Sequence, residues 1–416
     1  MAGLRTINHV DMRNRNIAII VNHLYQYAPI SRAGLAKKTG LNKATVTSII
    51  RILMENGFVV EAGTRHMGSS AGHPAIDLRI NPDAGRVIGA EINAESIAVA
   101  VLDISPRIIW RETRKHSQKE NADAVMEETI QLLHQAYARI QGGTAPVLGI
   151  VVALPGLVDL RSNVLLDAPD MGWKNVPIGR LIQDELKLPV AIGNSAHMAS
   201  IAENYFGASK ESEVSLFLNL GPSLGSGIVI MDNVLSGAAG LASEAGHMTV
   251  DPNGEVCSCG NIGCWNTVAS LRALLKRVRT SIQEGCPSAI QKVVQGDLTD
   301  LNLDHVIWAA HNRDAVACRA LEETGVWLGI GISNLINLLN PESIVLGGPM
   351  SAAYDFFLPS IQKEILKRAF VGKVKNYQIT LAKYREDSCL VGSLAVIYWN
   401  LMNQLQYITL PEDGRL

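Results

Sequence analysis

No stretch of this 416-residue chain approaches the ~18 uninterrupted apolar residues of a membrane-spanning helix, which excludes a protein anchored by such a span. The opening residues, MAGLRTINHVDMRNRN, lack an apolar signal segment, so a cytoplasmic protein with no membrane insertion is expected. Charge is sparse: 18% charged and 47% apolar residues leave no highly charged tail or disordered half, and the length suits two or three ordinary globular domains. Cysteine is scarce as well. Of six cysteines, Cys286, Cys318 and Cys389 stand alone in the sequence, which argues against a disulfide framework and for a reducing compartment.

The other three cysteines are crowded together. The stretch EAGHMTVDPNGEVCSCGNIGCW, from Glu244 to Trp265, places Cys257, Cys259 and Cys264 shortly after His247. Gly260 and Gly263 permit the sharp turns that let nearby thiolates converge. One histidine and three cysteines complete a tetrahedron with no position left for water, so the motif points to a closed, structural Zn2+ site and away from a catalytic zinc. The alternative is three reduced cysteines in a loop.

Net charge is unevenly spread. Residues 1–75 hold nine Lys/Arg against three Asp/Glu, a charge of +6, so the other 341 residues carry −8. A basic head on an acidic body suggests that one end meets a polyanion. Between Arg13 and Tyr27, Ile17, Ile20, Val21 and Leu24 recur at helical spacing before Pro29. A second helix is expected after Ser31, which can cap it, with Leu35 and Ala36 facing inward and Gly40 making the bend. Asn42 can cap a third helix, KATVTSIIRILMENG, in which Val46, Ile49, Ile50 and Leu53 form the buried stripe. This is a helix-turn-helix whose third helix offers Lys43, Thr45, Thr47, Ser48 and Arg51 to a major groove, with Ser31, Arg32 and Asn42 at the neighbouring helix starts. The runs FVVEAG and AIDLRI then alternate as strands around TRHMGSSAGHP, a wing that brings Arg65 and His73 toward the DNA backbone or minor groove. A protein-interaction module with an incidental positive charge is the competing account.

From about Val87 strands and helices alternate. VIGAEINAESIAVAVLDI reads as a hairpin, GIVVALPGLVD as a strand and loop, and PVAIGN as a strand entering a helix at Ser195. A second Gly-rich hairpin, SLFLNLGPSLGSGIVIMDNVLSG, is followed later by the long apolar helix ALEETGVWLGIGISNLINLLN and the strand ESIVLGGPM. Two such copies predict two lobes with a ligand cleft between them.

Taken together, the cysteine stretch, PGLVD, GNSAHMASIAE, the long apolar helix, LGG and VGSLAVI resemble the ROK family, which comprises bacterial sugar kinases and sugar-responsive repressors on an actin/hexokinase-type fold. The likeness covers nearly the whole chain. It implies a winged helix-turn-helix head at 1–80, a smaller α/β lobe at 86–190 plus about 390–408, and a larger α/β lobe with the zinc site at 191–389. Only the repressor branch carries such a head, and CSCGNIGCW looks most like its xylose-repressor members. Many of these relatives place an arginine at the position of His73.

Against the kinase pattern, three features depart. The DxGGT-like phosphate turn reads Glu91-Ile92-Asn93-Ala94-Glu95, without its glycines and with two carboxylates, each costing on the order of 4 kcal/mol against a phosphate charge at ~4 Å and an effective dielectric of 20. In the GTGxG-like loop, Gly221-Pro222-Ser223-Leu224-Gly225, Pro222 removes an amide donor. Where the kinases follow Asn with a catalytic Asp, Asn194 is followed by Ser195, and a positioned base is worth typically 10²–10⁴ in rate. The resemblance therefore implies a non-enzyme: a dimeric repressor that grips double-stranded operator DNA and senses a carbohydrate effector. Asn194, Glu244 and His247 match sugar-contacting positions of the family. Asp170 and Asn266 stand where relatives have Asn and Glu, and Ser243 replaces a glycine. A residual sugar kinase with a DNA-binding head, a repressor controlled by a protein partner, and a cleft in which Asn194 and Glu244 merely cap helices remain the alternatives.

Overall fold

A computed structural model describes residues 9–65, 75–116, 121–373 and 377–405. The head consists of α1 (His9–Tyr27), β1 (Ile30–Ser31), α2 (Arg32–Thr39), α3 (Lys43–Glu55), β2 (Val59–Arg65) and β3 (Ala75–Ile80), the strands forming one sheet in the order β1-β3-β2. Local chemistry sets its boundaries. Ser31 accepts from the Gly34 amide, Gly40 ends α2 at φ 71°, and Asn42 accepts from the Thr45 amide, so each helix end of the turn has a residue suited to it. Ile17, Ile20, Val21 and Leu24 of α1 close on Leu35, Val46, Ile49, Ile50 and Leu53, all buried.

In the body, β4 (Arg86–Ile92), β5 (Ser96–Asp103), β6 (Ile108–Lys115), α4 (Ala122–Ile140) and β7 (Val147–Leu154) lead into a small antiparallel sheet of β8 (Leu157–Asp159), β9 (Val164–Ala168) and β10 (Trp173–Val176), then α5 (Ile178–Leu186) and β11 (Val190–Asn194). The first large sheet has the order β11-β7-β4-β5-β6, and its strand alternation separates two cores. Ile88, Ala90, Val99 and Val101 face α4 and α5, while Val87, Ala98, Ala100 and Leu102 face the opposite layer.

Next come α6 (Ser195–Phe206), β12 (Val214–Leu220), β13 (Leu224–Ile230), β14 (Asn233–Val234), α7 (Trp265–Ala269), α8 (Leu271–Gln283), α9 (Ile290–Val293), α10 (Leu303–His311), α11 (Ala315–Leu339), β15 (Ser343–Gly347), α12 (Tyr354–Arg368), β16 (Gln378–Leu381) and α13 (Ser388–Leu405). The second large sheet has the order β14-β13-β12-β15-β16, with β15 and β16 parallel to β12. α11 is the spine of this lobe. Gly331 on it lies so close to Trp265 that an added Cβ would stand 2.1 Å from the indole ring, which anchors the cysteine loop to the lobe core.

The head rests on the body through α1, which packs against α6 and α13. The Tyr25 ring lies 4.8 Å from Phe206 and 5.3 Å from Tyr398, centroid to centroid, and its hydroxyl donates to the Ile104 carbonyl at 2.8 Å. Gln26 and Lys210 exchange side-chain to carbonyl hydrogen bonds at 3.0 Å each. Among the described residues no helix is long and apolar enough to cross a membrane.

Candidate functional site

On α3 the amphipathic pattern leaves Lys43, Thr47, Ser48 and Arg51 exposed around a shallow concavity, with Ala44 between them. Ala44, too small and apolar to signal a contact, is the residue of this face that sequence reasoning missed. Thr45 is half-buried. Three of the anticipated contacts already have structural work: Ser31 and Asn42 cap helices, and the Arg32 guanidinium donates to Met54 Sδ at 3.3 Å. Arg51 stands 3.9 Å from Glu55 in an exposed pair, which holds it only weakly. The backbone of Arg65 ends β2, while His73 lies outside the described residues.

The anticipated sugar contacts Asn194 and Ser195 lie where β11 meets α6. Asn194 Oδ1 accepts from the Ala196 and His197 amides, capping α6, and its Nδ2 donates to the Gly156 carbonyl at 3.0 Å and to Glu244 Oε1 at 3.3 Å. Asn194 thus caps a helix and also aims a carboxyl. Burial pushes the Glu244 carboxyl up to about 7, so near neutral pH it can donate as well as accept. Ser195 is buried, and its hydroxyl has no hydrogen-bond partner among the described residues. Asn266 Oδ1 accepts from the Leu224 amide at 2.7 Å and so holds the loop 221–225, leaving its amide group for other partners. Ser243 keeps a glycine-like backbone at φ 67°, a conformation costing a side chain about 1–2 kcal/mol, and its hydroxyl donates to the Leu235 carbonyl at 2.9 Å.

Asp170 is occupied across the cleft. It accepts from Ser223 in the loop 221–225 and is ion-paired with Arg272 at 3.3 Å, and Arg272 also lies 3.6 Å from Glu95. Ser223 and Arg272 lie with the second large sheet and its helices, Glu95 and Asp170 with the first large sheet and the small sheet beside it, so these pairs latch the two parts of the body together. The second carboxylate of the phosphate-type turn behaves differently from the simple repulsion expected. Glu91 turns to the Cys389 side chain on α13, and burial raises its carboxyl to about 7, leaving Glu95 as the turn's acid on the cleft side.

His247, Cys257, Cys259 and Cys264 converge, with all four ligand atoms within 4.8 Å of one another. Cys257 Sγ lies 3.6 Å from His247 Nδ1 and Cys259 Sγ 3.7 Å from Cys264 Sγ, close to the ~3.8 Å edge of a tetrahedral site with metal–sulfur bonds of about 2.3 Å. Gly263, at φ 71°, makes the close turn: a Cβ there would stand 1.6 Å from the Asp251 carbonyl oxygen. The donor set fits a four-coordinate metal. Because Nδ1 faces the sulfurs, Nε2 of the same ring is left for another partner.

Comparison with known proteins agrees with this layout. The ROK family profile matches residues 87–398, and a winged helix-turn-helix DNA-binding profile matches residues 13–60. A protein named putative xylose repressor from Caldicellulosiruptor sp. (strain Rt8B.4) is 31% identical over 401 residues, covering 96% of this chain and 100% of its own. The DNA-binding transcriptional dual regulator NagC of Escherichia coli (strain K12) is 28% identical over 415 residues, 99% of each chain. Among solved structures, a ROK family transcriptional regulator described as a homolog of the E. coli MLC protein superposes with a TM-score of 0.76 at 27% identity, covering 95% of this chain and 98% of that one. A ROK family glucokinase from Streptomyces griseus, in complex with glucose and AMPPNP, superposes with a TM-score of 0.68 at 27% identity, over 75% of this chain and 99% of the enzyme. The chain belongs to the ROK family, in the branch that carries a winged helix-turn-helix head.

Proposed function

We propose that this protein is a sugar-responsive transcriptional repressor: a homodimer whose paired heads bind double-stranded operator DNA and whose cleft takes a carbohydrate effector. The observation that carries the reading is the position of α6. Its first turn is capped by Asn194, which aims Glu244, and about 18 Å along the helix axis its last residues, Tyr205 and Phe206, pack in the aromatic cluster that seats α1 of the head. Glu203, fully buried in the last turn, accepts from the Ala208, Lys383 and Tyr384 amides and the Ser388 hydroxyl, tying the same end to α13. A change at the cleft is thereby delivered to the base of the head.

For the effector we assign Glu244, the Ser195 hydroxyl and His247 Nε2 as direct contacts, with Asn194, Asn266 and Asp170 positioning the walls. His247, Cys257, Cys259 and Cys264 would hold Zn2+ as a structural ion; four protein ligands leave no open position, and ligation through Nδ1 fixes the ring that presents Nε2. On α3, Lys43, Thr45, Thr47, Ser48 and Arg51 would meet base edges or phosphate, with Arg65 and His73 of the wing on the backbone. We further propose that the cleft does not phosphorylate its sugar. Ser195 supplies no base at its ordinary pKa, Pro222 supplies no amide, and Arg272 with Glu95 and Asp170 fills the phosphate end. The mechanism is a population shift, in which sugar favours a lobe arrangement whose heads no longer span two half-sites.

The test is operator binding by the purified protein across a panel of pentoses, hexoses and N-acetylated sugars, with parallel incubation with ATP and magnesium. One sugar that lowers operator affinity, and no sugar phosphate above the protein-free control, is expected. Steady phosphorylation would establish the kinase reading, and a sugar that binds without altering operator affinity would sink the coupling.

A further inference from the structure

Beside the seam where α6 meets the head lies a cavity of about 690 Å³, a size that suits a small organic molecule. Both parts of the protein wall it: Tyr25 on α1 and Arg79 on β3 from the head; Arg107, Phe206, Lys383 and Tyr384 from the body. Its charges are unequally matched. Arg107 is met by Asp103, a fully buried carboxylate that also accepts from the Ser105 amide, the Ser105 hydroxyl and the Arg107 amide. The acid in the wall, Asp387, is paired with Arg111 at 2.8 Å. Among the described residues, neither Arg79 nor Lys383 has an ion pair within 4 Å, and the Glu203 carboxylate, which accepts from the Lys383 amide, offsets the Lys383 charge only from further off.

Lys383 is the more telling of the two. Its ammonium donates one proton to the Phe206 carbonyl at 2.8 Å and keeps two, and burial together with nearby Lys210 holds it below the usual lysine range. An exposed lysine beside a second lysine, lining with an arginine of another domain one shared cavity, is an arrangement that favours an anion. The remaining walls are partly apolar and aromatic, with the Tyr25 and Tyr384 rings half-buried, which suits a ring-bearing body more than a bare inorganic ion.

We propose that this cavity is a second ligand site, distinct from the interlobe cleft, for a small organic phosphate whose phosphate bridges Arg79 and Lys383 and whose ring lies against Tyr25 and Tyr384. Because one cation belongs to the head and the other to the body, the bound phosphate ties the two together and fixes the head's orientation. A nucleotide and a sugar phosphate share the required chemistry.

Isothermal titration of the full-length protein with AMP, ribose 5-phosphate and inorganic phosphate tests this. At least one of the two organic phosphates should bind once per chain and about tenfold or more tighter than inorganic phosphate; which of them binds identifies the ring. Arg79→Gln and Lys383→Gln should each weaken that binding about tenfold, the loss of one charge-assisted contact. The main-chain bond from Lys383 to Glu203 survives the second substitution, and Arg79 is exposed, so neither change endangers the fold. Glu244→Gln, in the cleft, should leave the phosphate affinity unchanged, and the bound phosphate should alter operator affinity in the wild type but not in Lys383→Gln. Absence of binding by both organic phosphates, inorganic phosphate binding equally well, binding that survives both substitutions, or binding lost with Glu244→Gln would each overturn the assignment. The binding arms do not depend on which sugar, if any, occupies the cleft.

Discussion

Removing one oxygen atom from the head–body seam should uncouple DNA binding from the cleft. In Tyr25→Phe the ring keeps its place against Phe206 and Tyr398, at 4.8 and 5.3 Å, and only the hydroxyl that donates to the Ile104 carbonyl at 2.8 Å is lost. Burial, with Asp103 nearby, pushes the Tyr25 phenol far up, so in the wild type it is a protonated donor throughout the accessible pH range. Ile104 is 2% exposed, and its carbonyl would be left without that donor. An orphaned buried acceptor costs about 1–3 kcal/mol, which is about 5- to 150-fold in the equilibrium between docked and released heads. The assay is operator titration with and without saturating effector, alongside calorimetric sugar binding and hydrogen exchange of α1. The ratio of the two operator affinities should shrink about fivefold or more, sugar affinity should hold, and α1 amides should exchange faster. If α1 exchange speeds up while the affinity ratio stays at its wild-type value, docking of α1 is not how the cleft reaches the DNA, and the reasoning fails.

Further expectations are checked more simply. Cys264→Ser replaces a fully buried thiolate of the four-ligand cluster and should lower tightly held zinc well below one per chain while reducing thermal stability of the body; a full equivalent of zinc surviving the substitution would refute the ligand set. Lys43→Ala and Thr47→Ala on the exposed face of α3 should weaken operator binding by about 1–3 kcal/mol each, with Thr47→Ala relaxing base preference. Arg65→Ala should weaken all sequences alike, and His73→Arg should tighten them; identical specificity changes at Thr47 and Arg65 would contradict that division. The buried Glu91 carboxyl, raised from 4.5 to about 7, binds its proton more tightly in the folded state, so its contribution is fully present below pH 4.5 and lost as pH rises through about 7. Glu91→Gln should therefore flatten the fall in stability between pH 5 and 8, a fall of up to about 3 kcal/mol at 1.36 kcal/mol per pH unit; an unchanged pH profile would show that another group titrates.

Features that depend on near neighbours in the chain were legible in the sequence. The helix caps of the head, the buried stripe of α3 and the cysteine cluster each involve residues a few positions apart, where periodicity and ligand spacing apply directly. That His247 joins the three cysteines was legible because the loop between it and Cys257 is short. The latch was not, because Glu95, Asp170, Ser223 and Arg272 come from four separate segments and no local pattern marks any of them. Similarly, PGLVD reads as a loop in isolation; β8 becomes a strand only because β9 pairs with it, in the sheet that carries Asp170 to the cleft. Asn266 illustrates the same limit. Sequence likeness placed it beside a sugar, and only the fold reveals that its carbonyl oxygen is committed to the Leu224 amide.

The energetics of the latch bear on why such a cleft can act as a sensor. Arg272 is about one-third exposed and Glu95 nearly half, and pairs this open to water contribute about 0–1 kcal/mol, with the more buried Asp170 partner adding somewhat more. The lobes are therefore joined at Arg272 by interactions worth little individually. To move a two-state protein from 1:99 to 99:1, an effector must discriminate between the states by about 5.5 kcal/mol. Sugar hydroxyls contribute about 1 kcal/mol per net hydrogen bond, more where the partner is charged, and the proposed contacts at Glu244, Ser195 and His247 would offer only a few such partners. A rigid, fully buried ion pair in place of these would put the transition beyond that reach. Under the proposed function, the half-solvated pairing of Arg272 with Glu95 and Asp170 holds the resting arrangement weakly enough for a small carbohydrate to change it, while α6 carries that change to Tyr25 and the head.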